Sequence, residues 1–406
     1  MFKRMRLISC LAIAAGCMLS TTSTARAQRM LREPQDQPTA EADPGDESDL
    51  SDRPEGATAN ADQPSGQAPT PADSSEDQID AGQPAEPPAS QPESGIVPLL
   101  GRAKSNRTNT AAAPTVSDSV ALQIALDRAG FSPGLIDGNV GRKTQVAIAA
   151  FQKSAGLPAT GKLDDATRRA LAVGSSANGG LVRRFTLTES DIAQVGPWPK
   201  DWIEKSQVKR LGYKSVAAMA AERGHCSLAM LARLNRGVDL DSLAAGDVVW
   251  LPAVEMPAST PKAACIEIDL AQKLLRVLDK SGKVVALFHC SIAKDKAKLP
   301  KRSCKVAVIA PNPIYIFDPK MWPEVKNLHR KLVIPPGPRN PVGLCWLGLS
   351  LDGYGIHGTP EPEMIGKTGS HGCIRLANWD AQRLGKMVRV GMEVRFTNGP
   401  TSVARR

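Results

Sequence analysis

Between Gln28 and Pro114 the chain offers almost nothing to bury. Pro, Ala, Ser, Gln, Asp and Glu dominate, large apolar residues are scarce, and neither a helical nor an alternating pattern appears. Such a segment cannot offset the entropy of ordering, so it is withdrawn from any core. Its 12 prolines between Gln28 and Gly101 favour extended conformers, and it reads as a flexible tether. The remainder of the 406 residues exceeds one ordinary domain and has to divide into several modules. Only 4% of residues are aromatic and 32 are proline, a composition that excludes a membrane channel and a coiled-coil rod.

Charge divides along the same lines. Residues 1–27 carry a net +4, residues 28–100 a net −13, and the rest a net +19, within an overall +10. A strongly basic body therefore trails an acidic tether. It suits a polyanion, and charge cannot choose between nucleic acid, acidic lipid and an anionic wall polymer. The compartment is read from the start of the chain. Lys3, Arg4 and Arg6 precede an apolar run from Leu7 to Leu19 and a small-residue site, Ala25-Arg26-Ala27, which is the layout of an export signal over 1–27. A rival reading makes Ala15-Gly16-Cys17 a lipoprotein site with Cys17 acylated, against which stands Ala14 where such sites usually carry Leu. No later stretch is long and apolar enough to predict a transmembrane span.

Without Cys10 and Cys17, six cysteines remain: Cys226, Cys265, Cys290, Cys304, Cys345 and Cys373. Export permits disulfides among them, and Cys290 with Cys304 is the first pairing to consider.

From Val116, Leu122, Ala125, Leu126 and Ala129 recur at helical spacing behind a Ser117 cap. A second helix covers Val146 to Phe151, and a third starts at Asp164. The first loop holds Asp137-Gly138, the second helix is marked by Thr144 through Phe151-Gln152, and the following turn runs from Gly156 through Asp164. Together these resemble the three-helix peptidoglycan-binding module, here over 116–175. Residues 184–254 read as a loose strand at Phe185 to Leu187, two helices, a turn and a closing strand. They look like a LysM glycan-binding module on Ala217 to Ala221, Leu234-Asn235 and the "DSLAAGDVVWLP" segment, with about 25 extra residues containing Pro197, Trp198, Pro199 and Trp202. Beyond Ala264, short β-branched runs separated by turn residues predict a mainly-β domain over 262–398, with one helix capped by Asn378 and a last strand at Val394 to Thr397. The fold class is thus multidomain: a disordered tether over 28–115, a three-helix module, a small α+β LysM-like module and a mainly-β C-terminal domain.

Chemistry concentrates in "YGIHGTPEPEMIGKTGSHGCIRL", residues 354–376, with His357, Ser370, His371, Cys373 and Arg375. A thiol attacks an acyl carbon only as thiolate and needs a base or positive potential nearby, for which histidine is the natural partner. Gly372 beside it lets the backbone turn and leaves successive N–H groups to face an oxyanion. Arg375 can steady a thiolate or grip a substrate carboxylate. Gly353, Gly355 and Gly358 spell a dinucleotide fingerprint, but Pro360 and Pro362 forbid the helix it requires. A zinc site of His357, His371 and Cys373 lacks ligand spacing and a fourth donor.

The C-terminal sequence resembles the L,D-transpeptidase family, cysteine enzymes that remodel peptidoglycan. The matching residues are His357-Gly358-Thr359, Ser370 through Leu376, "PPGPRNPVG" at 335–343 and Gly355-Ile356. A departure falls at Leu299-Pro300-Lys301-Arg302, where the family often has T-P-x-G. The resemblance implies Cys373 as nucleophile, His357 as its base and the Gly358 carbonyl as the orienter of the imidazole. It further implies the Gly372 and Cys373 N–H groups as oxyanion hole, and Ser370, His371, Arg375 and Tyr354 around the substrate. It implies no cofactor and no nucleic acid. Peptidoglycan is the partner, in the periplasm or wall, and a membrane enters only through an acylated Cys17. The reaction is transfer of a tetrapeptide-stem acyl group with release of D-Ala. An amine acceptor gives a 3–3 cross-link, water a carboxypeptidase, a protein lysine covalent anchoring. The rival class is a catalytically silent wall-binding protein. Because residues 116–254 hold no nucleophile paired with a base, their removal is expected to weaken wall binding and to spare turnover of soluble stem peptide.

Overall fold

A computed structural model describes residues 112–175, 180–197, 199–255, 262–322, 325–326, 328–370 and 372–399. The export segment with Cys10 and Cys17, the acidic segment up to residue 111, Trp198 and His371 lie outside the described residues.

The Ser117 hydroxyl accepts from the Val120 N–H at 3.4 Å and starts α1 (Asp118–Arg128). After α2 (Arg142–Ser154), the Asp164 carboxylate caps α3 (Asp165–Ala170), accepting from the Thr167 N–H at 2.7 Å. The loop motifs of this module serve the fold. Buried Gln123 accepts from the Asp137 and Gly138 N–H groups, and buried Gln152 accepts from that of Gly161 while donating to Thr167. Next come β1 (Val182–Thr186), α4 (Glu189–Ile192), α5 (Trp202–Gln207), α6 (Val216–Arg223), α7 (Leu228–Leu234) and β2 (Val248–Pro252), with β1 and β2 antiparallel. Asn235 ties α7 to β2, accepting from the Trp250 N–H at 2.6 Å and donating to its carbonyl at 2.9 Å.

The C-terminal part contains β3 (Cys265–Asp269), β4 (Leu274–Leu278), β5 (Val284–His289), β6 (Cys304–Pro311), β7 (Tyr315–Phe317), β8 (Leu332–Ile334), β9 (Cys345–Leu349), β10 (Gly355–His357), β11 (Ile374–Arg375), α8 (Asn378–Met387) and β12 (Glu393–Thr397). Eight strands form one mixed sheet in the order β11-β10-β9-β6-β12-β3-β4-β5, and β7 and β8 form a separate hairpin. Alternate residues of the sheet and the apolar side of α8 enclose the core around Ile266, Leu275, Phe288, Leu347, Ile356 and Leu384.

Two expectations are corrected here. All six cysteines are free thiols. Cys290 follows edge strand β5 and Cys304 opens β6, with β12, β3 and β4 between those strands, so the pair is not placed to bridge. Asn378 does not cap its helix: Ala377 occupies the cap position, and the Asn378 side chain turns elsewhere.

A third correction concerns separability. The accessory segments are packed into the C-terminal domain, not strung beside it. Helix α1 is apolar on two sides: Leu122 and Leu126 join Leu274 and Leu287 of the sheet, while Val120 and Ile124 join Met219, Leu231 and Leu251 of the second segment. Phe131 bridges to Leu287. Asp127, fully buried at the end of α1, accepts from Arg383 of α8 at 2.8 Å and pairs with His225 at 3.0 Å, whose ring stacks on Trp379. Burial opposes the charge of Asp127, but Arg383 and His225 outweigh it and hold its carboxyl well below the ordinary range. Trp202 of α5 stacks on Phe317 of β7 at 4.0 Å. Removing residues 116–254 would strip Arg383, Trp379 and Phe317 of their partners, so catalysis by the remainder is not expected to survive intact.

Candidate active site

The geometry starts from three short strands. β10 lies antiparallel to β9 and parallel to β11, with His357 opposite Trp346 on one side and Arg375 on the other. Cys373 immediately precedes β11, so this register brings the thiol to the strand that carries His357. The two most reactive residues, 16 positions apart in sequence, are therefore carried to neighbouring strands by a parallel pairing that no local pattern encodes.

His357 is buried. Its Nδ1 faces the Gly358 carbonyl at 2.7 Å, and its ring stacks on Trp346 at 5.7 Å. That carbonyl can only accept, so Nδ1 carries the proton and Nε2 is left as the basic nitrogen. Trp346 also explains Gly355, since a Cβ there would collide with the indole ring. Burial pulls the His357 pKa down to about 4, against the Gly358 hydrogen bond and with help from Arg375, so the imidazole is neutral at pH 7.

Cys373 is half-buried, its Sγ 3.6 Å from the Gly353 carbonyl. Burial pushes the thiol up to about 11, against the Gly355 backbone and the Arg375 charge. At pH 7 a group with that pKa is ionised in about one molecule in ten thousand. The resting pair is thus a neutral thiol and a neutral imidazole, and the thiolate has to be made as it attacks. The other five cysteines are buried; burial raises Cys226 and Cys290 to about 12, which leaves them unreactive.

The surrounding candidates divide. The Ser370 hydroxyl donates to the Cys373 carbonyl and accepts from the Gly372 N–H at 3.3 Å, closing the turn that presents the thiol. To reach an oxyanion the Gly372 N–H would leave this long contact. Open space faces the Gly372 α-carbon, since a Cβ there meets nothing within 4 Å. Arg375 Nη2 donates to the Thr368 and Gly369 carbonyls and to the Thr368 hydroxyl, so the guanidinium braces the 366–370 loop. The Tyr354 hydroxyl donates to the Lys298 carbonyl at 2.9 Å, tying the segment that departs from T-P-x-G to the strand of His357. His371 lies outside the described residues. Among the described residues no group of three or more His, Cys, Asp or Glu is gathered so as to hold a metal ion.

Sequence reasoning missed several residues. Burial raises the pKa of Tyr315 on β7, which lies within electrostatic reach of a thiolate at Cys373, and its hydroxyl accepts from Trp322 Nε1 at 3.3 Å. The hairpin that brings Tyr315 there is backed by Trp202, whose signal was present in the extra segment between β1 and α6. Trp346 and Glu222 carried no signal beyond their type, and Asn378 was legible only as a helix cap.

A thiol presented by a tight turn at the start of a strand paired with one that carries a backbone-braced imidazole, on a mainly-β scaffold, has the groups needed for acyl transfer through cysteine. The comparisons with known proteins specify which kind. Residues 263–396 match the model of the L,D-transpeptidase catalytic domain, and residues 115–171 that of the peptidoglycan binding domain. The C-terminal domain of this chain belongs to the L,D-transpeptidase catalytic-domain family, acyltransferases that act on peptidoglycan.

A Bacillus licheniformis protein whose name places it among the L,D-transpeptidases, YkuD, is 28% identical over 167 residues, 41% of this chain and 84% of that protein. "Probable L,D-transpeptidase YbiS" of Escherichia coli K12 is 31% identical over 176 residues, 43% of this chain and 57% of that protein. Among solved structures, the L,D-transpeptidase of Xylanimonas cellulosilytica is 18% identical with a TM-score of 0.29, covering 70% of this chain and 98% of that one. These matches cover 115–171 and 263–396, and the LysM resemblance of 184–254 is not confirmed by them.

Proposed function

We propose that the whole chain is an exported L,D-transpeptidase that cross-links peptidoglycan through a Cys373 thioester. The observation that carries this reading is the His357 imidazole, held by the Gly358 carbonyl on the strand paired with the one that Cys373 opens. His357 Nε2 takes the thiol proton as Sγ bonds to the carbonyl carbon at the L-centre of the third, diamino residue of a tetrapeptide stem. The C–N bond to D-Ala then breaks, and the imidazolium returns the proton to the departing amine. An amine of a second stem attacks the thioester, His357 takes its proton, and the thiolate leaves and is reprotonated. Net, one amide bond is exchanged for another.

In this reading the Cys373 N–H and, once it has left the Ser370 hydroxyl, the Gly372 N–H stabilise the developing oxyanion. The module over 115–171 and the basic body hold the enzyme on its polymer with a salt-sensitive component. Residues 1–27 direct export to the periplasm or wall, and an acylated Cys17 would add a membrane anchor. Nucleic acid is not a partner in this reading.

Incubation of the purified protein with a carbapenem tests the nucleophile: a mass increase of one drug molecule, mapped to Cys373, is expected. Incubation with tetrapeptide stems then reads the acceptor. Cross-linked dimer supports transpeptidation, tripeptide alone would replace it with hydrolysis, and failure of both would leave a silent wall-binding protein.

A further inference from the structure

Between the accessory segment and the C-terminal domain, a carboxylate reaches the residue that braces the catalytic corner. Glu222 stands near the end of α6, far from the thiol in sequence. Its Oε1 accepts from the Tyr213 hydroxyl at 2.8 Å and its Oε2 from Asn378 Nδ2 at 3.0 Å. Both partners are neutral donors. Burial raises the Glu222 pKa, so placing a carboxylate here costs stability, and its polarity asks for another explanation.

That explanation lies in Asn378, which is fully buried. Its Nδ2 donates to Glu222 and to the Pro338 carbonyl at 3.1 Å, and its Oδ1 accepts from the Leu344 N–H at 3.1 Å. The Oδ1 is wedged against two glycines: a Cβ on either Gly343 or Gly358 would collide with it. Gly358 owns the carbonyl that faces His357 Nδ1 at 2.7 Å. A flipped Asn378 amide would set its NH2 against the Leu344 N–H, donor against donor. Glu222 Oε2 accepts from Nδ2 beside the Pro338 carbonyl, so Glu222 joins the Leu344 N–H and that carbonyl in fixing which end of the amide points where.

We infer that Glu222 is a positioning residue for acyl transfer, contributed by the accessory segment, which fixes the Asn378 amide and through it the Gly358 peptide that orients His357. The inference rests on the function proposed above. It gives segment 180–255 a part in catalysis besides any part in wall binding.

The test uses the full-length protein and the saturating rate of Cys373 acylation by a carbapenem, with the thermal midpoint measured alongside. A misplaced catalytic group commonly costs about tenfold or more. Glu222→Ala is therefore expected to slow acylation at least about tenfold, with half-saturation changed less than about twofold. Glu222→Gln can offer its oxygen to Asn378 and its NH2 to Tyr213, and is expected to keep at least about half of the wild-type rate. If Glu222→Ala does not fold, Asn378→Asp carries the test: it sets two carboxylates against each other, slows acylation, and is partly restored by adding Glu222→Gln. Wild-type acylation by folded Glu222→Ala, equal losses in the Ala and Gln variants, or no restoration in the double variant would each overturn the inference. A wild-type protein that takes up no carbapenem would overturn the proposed function itself.

Discussion

Two histidines near the seam of this molecule are braced in opposite ways. His225 sets Nδ1 against the carboxylate of Asp127, which also grips Arg383, so opposite charges meet inside a packed junction. His357 sets Nδ1 against a neutral backbone carbonyl, and its partner in chemistry is a thiol whose own pKa is raised. The first arrangement satisfies charge and locks three segments together. The second withholds charge, leaving a base and an acid that react only when an acyl carbon arrives. Burial is common to both sites, and the partner of Nδ1 decides which becomes structure and which becomes chemistry.

The largest expected effect removes the reacting atom. Cys373→Ala should abolish carbapenem acylation and turnover while leaving the folded state intact; an alanine variant retaining a tenth of wild-type cross-linking would exclude this thiol. His357→Ala should slow acylation by about 10²–10⁴. Because burial lowers His357 to about 4 and raises Cys373 to about 11, wild-type acylation should be flat between pH 6 and 8 and fall only as pH approaches 4. A rate climbing about tenfold per pH unit across that range would mean that free thiolate, not the neutral pair, is the attacking species.

Breaking the seam should cost stability first. Arg383→Ala leaves Asp127 buried without its strongest partner, a change of about 3–5 kcal/mol when read by urea unfolding. A loss below about 1 kcal/mol would show that the junction opens in solution. The smallest effect belongs to Asp380, whose Oδ2 accepts from Ser132 at 3.0 Å and whose carboxyl burial raises to about 7. A carboxyl raised on folding binds its proton more tightly in the native state, so its contribution is present below about pH 4 and is lost as pH rises through 7. Asp380→Asn removes that loss. Its thermal midpoint should exceed the wild type by more at pH 8 than at pH 5, and the reverse order would show that Asp380 is ionised in the fold.

Much of this was legible in residues alone, for a physical reason. The Ser117 and Asp164 helix starts and the strand runs from Cys265 to Thr397 depend on neighbours within a few positions, where hydrogen bonding and hydrophobic alternation act directly. The reactive cluster was legible too, because Ser-His-Gly-Cys and His-Gly-Thr are local strings. Pairing of β10 with β11, the covering of His357 by Trp346, the free state of Cys290 and Cys304, and the turning of Asn378 away from a cap depend on contacts between distant segments. The same holds for the junction. Nothing near Asp127, Trp202 or Glu222 in sequence announces Arg383, Phe317 or Asn378, since complementary charge and shape are defined only once both surfaces exist. The sequence determined the chemistry available to this protein and the modules that carry it. The tertiary structure alone decided that those modules are one body, because burying α1 on two apolar sides leaves no surface on which they could separate.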